Sequence, residues 1–283
     1  MKFNIKHGPS RDALRRVLEE MHGHLVETEA IFNDAQAPAR KYTDKRDIEF
    51  SAFICAIIAY GRIAHIKVSI AKILDRFGDH PVETLLSTND ADLKSACKGW
   101  AHRFNTEHDI YRMLRILKNV YAENGSIENL IRGAEVQSAA EALEIMIEML
   151  VALAEDPIAP KDSFWFFLPR PSSGSACKRL NLFLRWMVGR NSSDFAIWNC
   201  ISPAILIVPV DTHVLNQARI LGFTKRNSGD WQTAEEITTA LRLLDAEDPT
   251  RFDFALCHIG IRGLNILELV EKPILGLGKL LKG

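Results

Sequence analysis

The chain has 283 residues, 47% hydrophobic and 25% charged, with 35 Lys+Arg against 36 Asp+Glu and a formal charge of −1. That balance excludes wholesale disorder, a fibrous chain, and a protein that holds nucleic acid by bulk positive charge alone. There is no run of about 18 apolar residues to span a membrane, and the N-terminal MKFNIKHGPSRDALRR lacks the apolar stretch of a secretion signal.

In chain order, a first helix is expected behind the N-cap Ser10, with Leu14, Val17, Leu18, Met21 and Leu25 at helical spacing. Residues 47–60 (DIEFSAFICAIIAY) are apolar nearly all round and read as a buried helix that stops or bends at Gly61. Residues 63–77 form another helix, closed by Gly78 and Pro81. Shorter helices are expected near 82–88 and 90–98, and longer ones over 106–122 and 138–154. Four prolines and the run Ser172, Ser173, Gly174, Ser175 break regular structure over 157–175, around the aromatic group Phe164, Trp165, Phe166 and Phe167. A helix is expected from about Ala176, with an apolar stripe of Leu180, Phe183, Leu184 and Met187. A short helix near 194–200, an extended apolar segment over 204–210, and helices near 211–222, 231–244 and 249–260 complete the pattern. The Gly-rich tail from Pro273 is left unplaced. The expected class is all-α: two helical lobes flanking a cleft, one over 47–160, the other combining 1–46 with 205–283, and a hairpin segment over 161–204 at their join.

The five cysteines (55, 97, 177, 200, 257) are scattered without metal-ligand spacing, which suits reduced thiols in a cytoplasmic protein. Charge is unevenly spread. Residues 161–190 carry six bases (Lys161, Arg170, Lys178, Arg179, Arg185, Arg190) and one acid, whereas 135–156 carry six acids and no base. The basic stretch suits a local anion site, and solvated helix faces of opposite sign would give the same count.

The chemistry concentrates in PSSGSACKRLNLFLRWM and PVDTHV. Lys178 opens a helix just after a Gly/Ser turn and lies roughly 200° around the axis from the stripe that begins at Leu180. It therefore stands off the core face. The helix dipole and Arg179 favour a neutral amine there, as amine nucleophiles need, although a solvated surface lysine fits the same position. Asp211 follows the apolar run ILIVPV and starts a helix, where a carboxylate serves as an N-cap or as a functional acid. His213 lacks a second ligand at suitable spacing and reads as structural. His102, Arg103 and Asn105 in WAHRFNTEHD, and Asp253 and His258 in DFALCHIGIRG, face a cleft or cap helices.

GSACK resembles the hairpin of the helix-hairpin-helix, Gly/Pro-rich loop, aspartate superfamily of DNA glycosylases: Gly174 matches its first glycine, Ala176 replaces the second, and Lys178 falls on its lysine. PVDTHV resembles its loop and aspartate, and FICAIIAYGRIAHIKVSIAKILDRFG (53–78) resembles its DNA-inserting helix pair, with the turn at Tyr60, Gly61 and Arg62. The 33-residue spacing from Lys178 to Asp211 exceeds the gap in most of that superfamily and resembles the archaeal 8-oxoguanine branch. Cysteines for an iron–sulfur cluster are absent. The whole chain also resembles a bacterial family catalogued only as a domain of unknown function. The resemblance implies a bifunctional DNA glycosylase/β-lyase excising an oxidised purine, most of all 8-oxoguanine, from double-stranded DNA. It implies Lys178 as nucleophile and Asp211 as the carboxylate beside the sugar. Gly174, Ser175, Ala176, Arg170, Arg179, Arg185, Tyr60 and Arg62 would contact DNA. Phe164, Trp165, Phe166, Phe167 and Asp253 would form the base pocket. No cofactor or metal is implied, and a cytoplasmic, nucleoid-associated monomer away from membranes is expected. The same hairpin would also suit a non-catalytic nucleic-acid-binding protein.

Overall fold

The computed structural model describes residues 10–28, 32 and 34–271. Ser10 caps α1 (Arg11–Glu27) by accepting the Ala13 amide N–H at 3.2 Å, and the expected apolar stripe is buried. The buried helix of the sequence is α2 (Lys45–Ile58), capped by Asp44. Its two inward acids are satisfied. Asp47 accepts the Val82 amide at 2.9 Å. Glu49 accepts four donors: Tyr121 Oη, Trp198 Nε1 and the amides of Ile127 and Glu128. Four bonds at one buried carboxyl answer the cost of taking it out of water.

Helices α3 (Ile63–Leu74), α4 (Pro81–Ser87) and α5 (Asp90–Cys97) follow. A small antiparallel pair that hydropathy did not announce comes next: β1 (Ala101–His102) and β2 (Asn105–Thr106), with His102 opposite Asn105 and Arg103–Phe104 at the turn. A capping box of Thr106 and Asp109 starts α6 (Glu107–Glu123), and Ser138 caps α7 (Ala139–Ala152). The Pro-rich stretch folds as two 3-10 turns, Ser163–Phe166 and Pro171–Ser173, before α8 (Lys178–Val188).

The helix expected near 194–200 does not form. The chain instead runs back along the end of α8, with the Phe195 and Trp198 amides donating to Trp186 O at 2.8 Å and Met187 O at 2.9 Å. The Trp198 indole bond to Glu49 fixes that path. After the extended run 206–210 come α9 (Thr212–Ile220), α10 (Trp231–Leu241), α11 (Asp253–Ile261) and a short α12 (Ile266–Glu271) that was not anticipated. The tail from Pro273 lies outside the described residues.

The protein is therefore mostly helical. Two hydrophobic clusters organise it. One draws on residues from Ala35 to Leu206, centred on α2, α6, α7 and α8; the other joins α1 to the segments from Ile207 to Leu269. Within the expected join 161–204, α8 packs on α2 and adds its whole apolar face to the first cluster. In the second cluster α9 and α11 cross so closely at Gly260 that a Cβ there would stand 2.8 Å from His213 Cβ. No helix among the described residues is long and apolar enough to cross a membrane.

Candidate active site

The turn before α8 places Lys178. Gly174 takes φ +79, a left-handed geometry that suits glycine, and its amide closes the 3-10 turn onto Pro171 O at 2.8 Å. Cys177 is also left-handed, at φ 46, and its thiol donates to Pro169 O at 3.1 Å. The chain reverses and enters the helix at Lys178 with its side chain over an open cavity of about 1280 Å³.

Asp211 arrives from the other cluster. The extended run 206–210 is buried, and the Val208 amide donates to Thr238 Oγ1 at 3.0 Å, which fixes where the run ends. Asp211 divides its two oxygens. Oδ1 caps α9, accepting the amides of His213 at 2.9 Å and Val214 at 2.8 Å. Oδ2 accepts Lys178 Nζ at 3.2 Å and the Cys257 thiol, from α11, at 3.3 Å. One oxygen serves the N-cap and the other faces the lysine, and the 33-residue gap closes to a direct ion pair. Burial would raise the Asp211 carboxyl, but the Lys178 ammonium, the Val214 amide and the Cys257 thiol outweigh it and hold the carboxyl below the usual range. Burial first, and the Asp211 charge next, push the Cys257 thiol far up, so it stays protonated as a donor.

Other expected site residues fall differently. Tyr60, Trp165, Phe166, Arg170, Ser175, Ala176 and Arg179 line the cavity. Arg185 and Asp253 do not. Their side chains are 1% and 5% exposed, and Arg185 is bound to Asp253 and 3.2 Å from Asp194. A guanidinium sealed between two carboxylates reaches no phosphate, and its partner reads no base. Burial drives the Asp253 carboxyl up to about 7; Arg185 opposes this and Asp194 adds to it.

Phe164 and Phe167 are core residues, both 0% exposed. In a 3-10 turn positions i and i+3 share a face, so these two point inward while Trp165 and Phe166 point out. Arg179 is a strut rather than a phosphate ligand. It donates to Ile57 O at 2.6 Å and to Phe166 O, and it covers the Tyr60 ring at 4.4 Å; burial lowers its pKa to about 10. Tyr60, so covered and bonded through its hydroxyl to Asn105 Oδ1 at 2.5 Å and His102 O at 2.9 Å, is held inward and does not stand out as a wedge. Arg62 is exposed at the start of α3 but stands outside the cavity lining.

Arg170 donates to Glu144 at 2.6 Å, and the Ser172 amide to the same carboxylate at 2.8 Å. Arg170 is thus answered by the acidic face of α7. The Gly174 amide is spent inside its own turn, its carbonyl accepts the Trp231 amide at 3.0 Å, and Ser175 bridges to Asp230, so the hairpin docks on α10. His102 is buried between Ser69 Oγ at 2.9 Å and Tyr60 O at 2.8 Å. Among the described residues no cluster of His, Cys, Asp and Glu is suited to a metal ion.

Sequence reasoning missed Cys257 and the aliphatic wall of Ile66, Leu182 and Ile261. Leu182 was recoverable, one turn beyond Lys178 on the same helix face. A single cysteine on α11 gives no sequence signal.

The fold and site define a mostly helical protein with a lysine–aspartate pair in an open, largely apolar-walled cavity. The chain belongs to the family described as protein of unknown function (DUF2400), whose model matches residues 35–262. That match, with none to a helix-hairpin-helix glycosylase family, corrects the family resemblance carried by GSACK and PVDTHV. The departures at Ala176, the spent Gly174 amide and the long Lys–Asp gap fit the correction. No curated protein and no solved structure matches the chain.

Proposed function

We propose that the cavity is the active site of a DNA glycosylase with β-lyase activity that removes an oxidised purine through a Schiff base on Lys178. The observation that carries this reading is the Lys178 Nζ–Asp211 Oδ2 pair at 3.2 Å, its members drawn from different clusters and set in a cavity with room for an extruded base and its sugar. The two clusters are, in this reading, the lobes of a base-excision cleft.

Nucleophilic attack needs the neutral amine; Asp211 Oδ2, a weak base because its carboxyl lies below the usual range, relays the Lys178 proton to the departing base rather than holding it. Nζ then bonds to C1′ while the glycosidic C–N bond breaks, and the departing base takes the bonding electrons and a proton. Asp211, ionised again, stabilises the positive charge on the opened sugar as the iminium forms. Loss of a C2′ proton expels the 3′ phosphate, and water releases the unsaturated sugar from Lys178. Leu182, Ile66 and Ile261 give the base an apolar wall, and the Cys257 thiol orients the carboxylate.

Borohydride trapping on duplexes that each contain one lesion, 8-oxoguanine first, tests the proposal. A covalent adduct absent from Lys178→Gln is expected. No adduct with any oxidised purine, or an adduct that survives in Lys178→Gln, overturns it, and tight binding without an adduct would point to a non-catalytic nucleic-acid-binding protein.

A further inference from the structure

Phe104 and Phe166 are 54% and 47% exposed, yet their rings stack on each other with centroids 4.7 Å apart and planes 19° from parallel. They come from distant turns, the β1–β2 turn and the first 3-10 turn. A buried polar network locks those turns together. Asn105 Nδ2 donates to Ser163 O at 2.9 Å, and Ser163 Oγ donates to Asp109 at 2.8 Å. Arg103, left-handed at φ 53, lays its guanidinium 5.5 Å from the Phe104 ring centre and its stem against Gly61. Arg179, the neighbour of Lys178, donates to the carbonyl of Phe166, whose side chain also lines the cavity. An isolated exposed phenyl is ordinary, but two held face to face by satisfied buried bonds form a rigid surface.

We infer that the Phe104–Phe166 stack, with Arg103 over the Phe104 ring, is a docking platform for an unpaired nucleobase of a DNA strand whose neighbouring nucleotide occupies the cavity. The inference rests on the base-excision reading above. Phe104 is taken up by Arg103 and Phe166, so the half-exposed Phe166 ring, held in place by Phe104, is the π surface that takes a base, and the guanidinium complements the phosphate beside it. A second protein chain fits poorly: two half-exposed rings offer roughly 200 Å² against the ~1,200 Å² or more of a stable interface.

The test uses the full chain and fluorescein-labelled duplexes, fully paired or carrying one unpaired nucleotide, followed by anisotropy. Duplexes with 2-aminopurine at the unpaired position report stacking by quenching. The wild type is expected to prefer the unpaired duplex and to quench 2-aminopurine. Phe104→Ala and Phe166→Ala should each reduce that preference about tenfold, and Phe104→Trp should restore it. Equal binding of both duplexes, quenching that survives Phe104→Ala, or self-association of the chain lost in Phe104→Ala without a change in DNA binding would overturn the platform. Trapping at Lys178 is read separately. Quenching that depends on Phe104 without an adduct defeats the lyase and keeps the platform; an adduct without such quenching does the reverse.

Discussion

Helix α8 carries Lys178 and Arg185 seven residues apart, on nearly one face and about 10 Å along the axis, yet the two cations occupy different media. Lys178 keeps 36% of its side chain exposed over the cavity and meets Asp211; Arg185 keeps 1% and meets Asp194 and Asp253. The difference arises in what covers the helix. Loop residues 191–194 and the start of α11 close over Arg185, and no segment among the described residues closes over Lys178. A guanidinium set between two carboxylates in a buried interior has a structural task, whereas a single amine facing a single carboxylate at an open cavity fits the role proposed for it.

That contrast can be broken at several points. The largest effect is expected for Lys178→Gln, which should reduce the borohydride-trapped adduct to background while shifting the melting temperature little, because an ion pair at an open cavity mouth adds little stability and Asp211 keeps its two amide donors. A large fall in Tm with trapping intact would reverse the roles assigned to the two cations. Arg185→Met should cost about 3–5 kcal/mol by leaving two carboxylates buried without their cation, read by chemical denaturation. A cost under ~1 kcal/mol would show that the sealed cluster exchanges with water.

His22 sharpens the comparison on the sealed side. Both of its ring nitrogens are buried without a hydrogen-bond partner among the described residues, and burial first, then the Arg185 and Arg251 charges, pushes its pKa down to about 4. The unfolded chain thus takes up the proton more readily than the fold between about pH 6.5 and 4, so this histidine removes stability as pH falls through that window. Asp194 and Asp253, with raised carboxyls, act in the opposite sense. Subtracting the His22→Phe variant from the wild type in parallel denaturation series cancels them and should leave a difference that grows in acid; a flat difference would contradict the unpartnered ring. The smallest effect is on the open side. Cys257→Ala removes one donor to Asp211 and should slow trapping roughly fivefold, in line with about 1 kcal/mol per hydrogen bond, while Cys257→Ser keeps the donor and the rate. Equal rates in all three proteins would make the thiol a bystander.

The sequence displayed one side of this contrast. Lys178 stood off the Leu180 stripe, and Asp211 followed a run of apolar residues, so both announced themselves by position. Arg185 shares that exposed-looking face, and its burial is decided by Asp194 and Asp253, which no local periodicity connects to it. The FWFF run shows the same limit. Its inward and outward rings separate only once the backbone is known to turn three residues at a time. The irregular path over 194–200 depends on an indole reaching Glu49, 149 positions away. Helices and their caps are local and were legible; the partners of charges are not local, and six basic residues in a row of thirty could not show which had already been claimed by Glu144 or Asp253.

The close crossing at Gly260 gives α11 a further property. One turn of this helix offers Asp253 to the sealed guanidinium and the next offers Cys257 to the carboxylate at the cavity. With no room for a methyl group against α9, the helix lies tight on its neighbour between those two appointments. The alignment of the two clusters is thus set in the buried interior and carried, one helical pitch away, to the gap between the Lys178 nitrogen and the Asp211 oxygen at the cavity.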